Sequence, residues 1–145
     1  MAMDAGGQST KTELLHSTPI PISELSPTKE QLTRCSIRAA VSLIWPYSYS
    51  TKSLSLLLSE LDIRLRLSNG QVKATFHGPA AEQIARTQVG IGDEVVLSLG
   101  GSRLAESEDA TRTPGRRARW DVHFDSSVFI EVILTPRGLR IYRRS

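Results

Sequence analysis

Trp45, Tyr47 and Tyr49 place three of the chain's eight aromatic side chains within five positions, and Lys52 follows them. Exposed aromatic faces stack on unpaired bases, each for about 1–3 kcal/mol, and a nearby cation reaches the phosphates. The structural alternative is that Trp45 caps the core while the tyrosines pack around Pro46. A second cluster, Arg112, Arg116, Arg117 and Arg119, surrounds Pro114-Gly115 and leads into Trp120. The planar guanidinium fork suits phosphate and stacks on rings. Glu106 to Asp109 lies just before it, so the stretch also reads as a loop whose charges partly cancel. Lys73, Thr75 and His77 alternate along one apolar segment, and Arg64 and Arg66 share a parity along another. These five would make a polar, basic floor between the clusters, or a solvated sheet face.

Reactive constellations are missing from the chain. His16, His77 and His123 are scattered, and none has the spacing of a metal-binding pair. Cys35 is the only cysteine, which excludes an internal disulfide framework, and alternation buries it as a small hydrophobe. Gly90-x-Gly92 leads into a strand with Asp93 and Glu94, where a phosphate cradle needs free donors and a helix N-terminus. Nothing beside Glu60 and Asp62 divides them into an acid and a base. The expectation is a binding protein with no catalytic site, metal or cofactor.

The bulk properties agree with that reading. The chain has 145 residues, 39% hydrophobic and 23% charged, the range of one globular domain. No run approaches the roughly 20 apolar residues that span a bilayer, and no secretory signal opens the chain, so an intracellular protein without a membrane is expected. The net charge of +3 lies at one end: nine Lys and Arg balance nine acids through Gly100, whereas Gly101 to Ser145 carries nine Arg against six acids. Such asymmetry suits a nucleic acid, or simply a solvated basic surface.

Residues 1–32 are rich in Gly, Ser, Thr and Pro and read as a flexible tail, with room for a short helix over Thr28 to Leu32; residues 33–145 read as one domain. Cys35, Ile37, Ala39, Val41 and Leu43 alternate as a first strand, and Pro46 to Thr51 forms a loop. Leu54, Leu56 and Leu58 begin a second strand, and the shift to Leu61, Ile63, Leu65 and Leu67 predicts a β-bulge. Asn69-Gly70 is a hairpin turn, and Val72, Ala74 and Phe76 face inward from a third strand. Ala80 to Thr87 has helical spacing, Val95, Leu97 and Leu99 form strand four, and Ser102 to Ala118 is a long polar loop. The stretch from Trp120 to Leu134 supplies strand five, with Val128, Ile130, Val132 and Leu134 inward.

Three meandering strands, a helix and two further strands is the order of an OB fold: an all-β, five-stranded Greek-key barrel with one short helix. Its ligand lies across strands two and three, between the one-two and four-five loops. The stretch from about Arg34 to Leu134 also resembles the telomeric single-stranded DNA-binding OB domains of the protection-of-telomeres and Cdc-thirteen type, particularly fungal members. Leu43-Ile-Trp-Pro-Tyr47, Lys52-Ser-Leu-Ser-Leu-Leu-Leu58, Val72-x-x-x-Phe76-His-Gly78 and Gly92-Asp-Glu-Val-Val-Leu97 carry the resemblance. It implies a nuclear protein at chromosome ends, a telomeric G-rich strand as ligand, and other telomere-complex proteins as further partners. The family's contacts would fall on Tyr47, Tyr49, Lys52, Arg64, Lys73, Thr75 and His77. The chain departs from the family in being a lone barrel with an Arg-rich four-five loop; a chain ending in Arg-Arg-Ser after a barrel could continue into a second domain.

Two other readings stay open. Trp45, Tyr47 and Tyr49 could form an apolar hot spot in a protein-interaction module of a telomere or replication complex. Single-stranded RNA is a variant of the first reading.

Overall fold

Cys35, Ile37, Ala39 and Val41 are all buried, so the alternation seen in the sequence carries a strand. In the computed structural model, which describes residues 12–66, 70–106 and 118–133 apart from the side chains of 66, 118 and 119, that strand is Cys35–Ser48 (β2), preceded by Thr18–Pro19 (β1). β3 (Ser53–Ser59) and β4 (Gln71–His77) complete a meander, and helix α1 (Pro79–Thr87) follows. β5 (Glu94–Ser98), β6 (Ser102–Glu106), β7 (Ala118–Phe124) and β8 (Ile130–Ile133) come after it. Hydrogen-bonded neighbours run in the order β6-β7-β4-β3-β2-β5-β8, with β1 beside β2. The β1–β2 and β4–β7 pairs are parallel and the others antiparallel.

The chain is mostly β, as expected, but the described residues form eight strands in one sheet rather than five in a closed barrel, with more than one short helical segment. Three features account for the difference: β1, in the segment expected as a tail, and two strands beyond the two expected after the helix. Gly101, at φ 78°, turns the chain after the expected fourth strand, and the start of the expected polar loop forms β6, which pairs with β7 while β5 stays on β2. The expected fifth strand divides at Asp125 to Phe129: β7 pairs with β4, and β8 pairs with β5. Among the described residues no pairing joins β5 to β6; Leu99 to Gly101 connects them covalently.

Besides β1, β2 pairs with β5 along Ser36 to Ala40 and with β3 along Ala40 to Ser48. Its register shifts between Val41 and Leu43, where Val41 N–H donates to the Asp93 carbonyl at 2.8 Å. The shift exchanges the faces of the strand. Leu43, expected inward, is therefore 38% exposed, while Ile44 packs on the core. A second shift, between Trp45 and Ser48, contains Pro46, which cannot donate to a ladder. Trp45 and Tyr47 thus belong to β2, not to a loop.

β3 ends at Ser59, and in place of the expected bulged continuation stands a helical turn, Ile63–Arg66; Leu67 lies outside the described residues. The Asp62 carboxylate accepts the Arg64 backbone N–H at 3.0 Å, a local bond that competes with the β ladder. Leu61, Ile63 and Leu65 are consequently exposed. Asn69 of the expected hairpin turn lies outside the described residues; the antiparallel β3–β4 pair that it joins is present.

The segment expected as a tail contributes to the core. Ile20, Ile22 and Leu25 are buried there, and β1 pairs with β2. Glu60 accepts the Ile22 backbone N–H at 2.6 Å. Thr28 to Leu32 forms no α-helix; a 3-10 turn occupies Leu32–Arg34. Short runs broken by Pro19 and Pro21 have no period to recognise, which is why the sequence concealed this arm.

Helix α1 starts at Pro79, whose ring suits the first helical position, and buries Ala80, Ala81 and Ile84. Gln83 holds the β7–β8 connection from both sides, donating to the Val128 carbonyl at 2.6 Å and accepting its N–H at 3.1 Å.

Candidate nucleic-acid interface

The outer faces of five strands align by register. Trp45 on β2 stands opposite Ser55 on β3, Ser55 opposite Thr75 on β4, Thr75 beside His123 on β7, and His123 opposite Arg103 on β6. Next to this row runs a second: Leu43, Leu57, Lys73, Asp121 and Ala105. Ser48, Ser53 and His77 begin a third. Strands alternate their faces, so the residues between these, Leu54, Leu56, Val72, Ala74, Phe76, Val122 and Phe124, are the core.

Lys73 and Trp45 meet on this face, the Lys73 ammonium lying 4.5 Å from the indole centroid. That distance is a cation–π contact, and it fixes a cation beside a half-buried aromatic plane. Leu57 is only 3% exposed although it alternates onto the outer face, where its register neighbours are Leu43 and Lys73. Thr75 and Ser55 share a hydrogen bond of 3.0 Å and are 9% and 7% exposed. The centre of the face is thus tightly covered, and ligand-accessible chemistry lies at its sides.

At one side His77 and His123 face each other, Nε2 to Nδ1 at 3.0 Å, with nearly parallel rings 5.2 Å apart. Burial, then Arg103, then His77 hold the His123 imidazole below the usual histidine value. Arg103 binds Asp125 with Nε to Oδ2 at 3.0 Å. Hydrogen bonding to Arg103 keeps the Asp125 carboxyl below the usual carboxylate range.

The aromatic trio does not stay together. Trp45 faces Lys73 on the sheet, whereas Tyr47 packs against the core and lines, with Tyr49, Glu82, Ala85 and Arg86, a cleft of about 320 Å³ beside α1. The two tyrosine rings meet edge to face at 5.1 Å, and Tyr49 is 86% exposed. The extra residue at Pro46 is what sends Tyr47 to the helix side. Lys52 occupies the β2–β3 turn at φ 53°, exposed, its carbonyl accepting the Gly78 N–H at 2.8 Å.

Arg64 is away from the face. It lies in the helical turn beyond the opposite end of β3 and binds the Asp62 carboxylate through Nε at 3.2 Å and Nη2 at 3.0 Å. Arg66 shares that turn, so strand two contributes no outer arginines. Arg112, Arg116 and Arg117 lie outside the described residues, as does the side chain of Arg119, whose backbone is in β7. The expected loop Ser102 to Ala118 begins as β6 and ends where β7 starts.

His123, Arg103 and Ser55 join the face without having been singled out in the sequence. A signal for His123 existed: Trp120, Val122 and Phe124 alternate with Asp121, His123 and Asp125. Among the described residues no group of three or more His, Cys, Asp and Glu is placed to hold a metal ion. Cys35 is free and buried.

Solved structures share this fold at low identity. Binding domain A of Saccharomyces cerevisiae replication protein A has a TM-score of 0.55 and 18% identity, over 84% of this chain and 100% of that one. Schizosaccharomyces pombe Pot1pC, solved with the single strand CGGTTACGGT, has a TM-score of 0.52 and 14% identity, over 88% and 98%. A Leishmania major protein described as an aspartyl-tRNA synthetase has a TM-score of 0.53 and 20% identity over 86% of this chain, which spans only 23% of that protein. The fold they show is the OB fold. No curated protein matches the sequence significantly. Residues 15–139 match the family described as "Domain of unknown function (DUF8502)", and with most of its length inside that match the chain belongs to this family.

Proposed function

We propose that this domain binds single-stranded DNA across the outer face of β2, β3, β4, β7 and β6. The observation that carries the reading is the set of three adjacent register rows, which together put an aromatic plane, Lys73, two imidazoles and Arg103 on one side of five consecutive strands. An OB barrel takes its strand on this surface. Trp45 would stack a base, Lys73 and Arg103 would neutralise phosphates, and Lys52 and His77 would extend the path toward the β2–β3 turn. Arg112, Arg116, Arg117 and Arg119, in and after the β6–β7 connection, are proposed as further phosphate contacts. The Pot1pC likeness supports the narrower reading, in which the ligand is a G-rich telomeric strand and the protein acts in the nucleus at chromosome ends. It also supports five OB strands as the binding body within the eight-stranded sheet.

The test is a titration of a fluorescent G-rich repeat at two salt concentrations, with its duplex and a scrambled strand as controls. Preference for the single-stranded repeat, weakening steeply as salt rises, is the expected result. Equal binding to the scrambled strand would remove the telomeric assignment and keep the groove. An absence of binding at low salt would overturn the nucleic-acid reading.

One observation favours a second reading. Tyr47 and Tyr49 open onto the α1 side with Glu82 and Arg86, apart from the Trp45 row, and an exposed tyrosine in a mixed-charge cleft suits a protein partner. A partner complex lost on Tyr49→Ala, with DNA affinity unchanged, would establish it.

A further inference from the structure

The His77–His123 pair is bonded through its facing nitrogens, and proton counting limits what it can do. Nε2 of His77 and Nδ1 of His123 lie 3.0 Å apart, so in the neutral pair one of them donates and the other accepts. Each ring carries one proton. Whichever ring donates inward has a bare outer nitrogen, and the other ring has an outer N–H. The neutral pair therefore offers one donor and one lone pair to a ligand. One added proton fills the bare outer nitrogen, keeps the facing bond, and turns the pair into two outward donors with a positive charge. A second proton has only the facing nitrogen to occupy and would break the bond between two like charges.

The surroundings favour an anion. Lys73 on β4 and Arg103 on β6 are the cations that act on His123, and Asp125, after β7, is the opposing carboxylate. Asp125 is engaged by Arg103 at 3.0 Å. Asp121 is the register neighbour of Lys73. The pair is half-buried, and Arg103 and Lys73 act against ionisation of His123 in the free protein. A phosphate brought between those cations reverses that balance.

We propose that the His77–His123 pair is a phosphodiester subsite that takes up a single proton from solvent when a strand binds. This deepens the single-stranded DNA reading and rests on it. Strand affinity then rises as pH falls, by at most about tenfold per pH unit, the limit for one linked proton.

The probe is a strand of G and T only, whose bases do not titrate between pH 5 and 8. Its affinity is measured across that range, and calorimetry near pH 6.5 in two buffers of different ionisation enthalpy counts the protons. The wild-type chain is expected to take up between zero and one proton and to bind several-fold tighter at pH 5.5 than at 7.5. His77→Gln/His123→Gln is expected to bind with no pH slope. Imidazole carbon-bound proton signals of the wild-type chain, recorded at pH 6.5 with and without the strand, provide a readout that needs no variant, and both rings are expected to move toward their protonated positions. Salt-sensitive binding with no pH slope, an uptake near two protons, a slope that survives in the double variant, or imidazole signals that stay still would each overturn the proposal alone. No binding at any pH would overturn the DNA reading and the proposal together.

Discussion

Two ring pairs, one residue apart on the same two strands, face opposite ways. Phe76 and Phe124 stack inward at 5.2 Å with planes 14° apart, and His77 and His123 stack outward at 5.2 Å with planes 13° apart. Phe76 and Phe124 are register partners on the parallel β4–β7 pair, and His77 reaches diagonally to His123, the register partner of Thr75. The same two strands therefore serve two purposes, decided by the face: the phenyl rings are fully buried, and the imidazoles are half-buried. A backbone fixed by the core positions the outer pair without any loop.

The largest effect should come from the inner pair. Phe124→Ala removes a fully buried ring and is expected to cost about 3–5 kcal/mol in urea denaturation, with a cavity term included. Its DNA affinity, measured on the folded fraction, should change little. A loss below about 1 kcal/mol would mean that the β4–β7 pairing is held by something other than this stack.

On the outer face the largest effect belongs to Trp45. Trp45→Ala should weaken single-strand binding by about 1–3 kcal/mol, while stability falls less than in Phe124→Ala, because Trp45 lies outside the core cluster. Fluorescence titration of the G-rich strand, beside a urea curve, separates the two quantities. Unchanged affinity would remove the indole from the binding path.

These two faces were not equally legible in the sequence. Val72, Ala74 and Phe76 could be read inward because β4 keeps an unbroken period of two. The arc of β2 could not: shifts at Val41/Leu43 and Trp45/Ser48 exchange its faces, which exposed Leu43 and separated Tyr47 from Trp45. Leu61 to Leu67 mimicked a bulged strand until the Asp62 carboxylate is seen taking the Arg64 N–H. Arg103 and His123 were hidden for another reason. Their place on the face depends on β4 pairing in parallel with a strand more than forty residues away, and local period carries no information about such partners.

A smaller effect concerns pH and has opposite signs for folding and for binding. The His123 value is lowered in the folded chain, so the unfolded chain binds more protons below the ordinary histidine value of 6.5. The stability contributed by neutral His123 is complete above that pH and is lost as pH falls through the folded value. Since the ring is only half-buried and solvent screens it, the loss should stay below about 1 kcal/mol. Binding of the strand should strengthen over the same window if the pair takes up its proton. Urea midpoints and strand affinities at pH 5.5 and 7.5 measure both; a stability that rises on acidification would contradict the burial argument.

The smallest effect is expected at Arg64, and it tests whether place or charge governs binding. Arg64 and Arg103 carry the same guanidinium, and both are ion-paired with an aspartate, at 3.0 Å in each case. They differ in position: Arg103 stands opposite His123 in the row, and Arg64 lies in the turn beyond β3. If the outer face is the interface, Arg103→Ala should weaken the strand several-fold and reduce the salt dependence by about one contact, while Arg64→Ala should change affinity less than about two-fold. Equal losses from the two variants would show diffuse attraction to a basic surface, and the row across the five strands would then lose its claim to be the path of the strand.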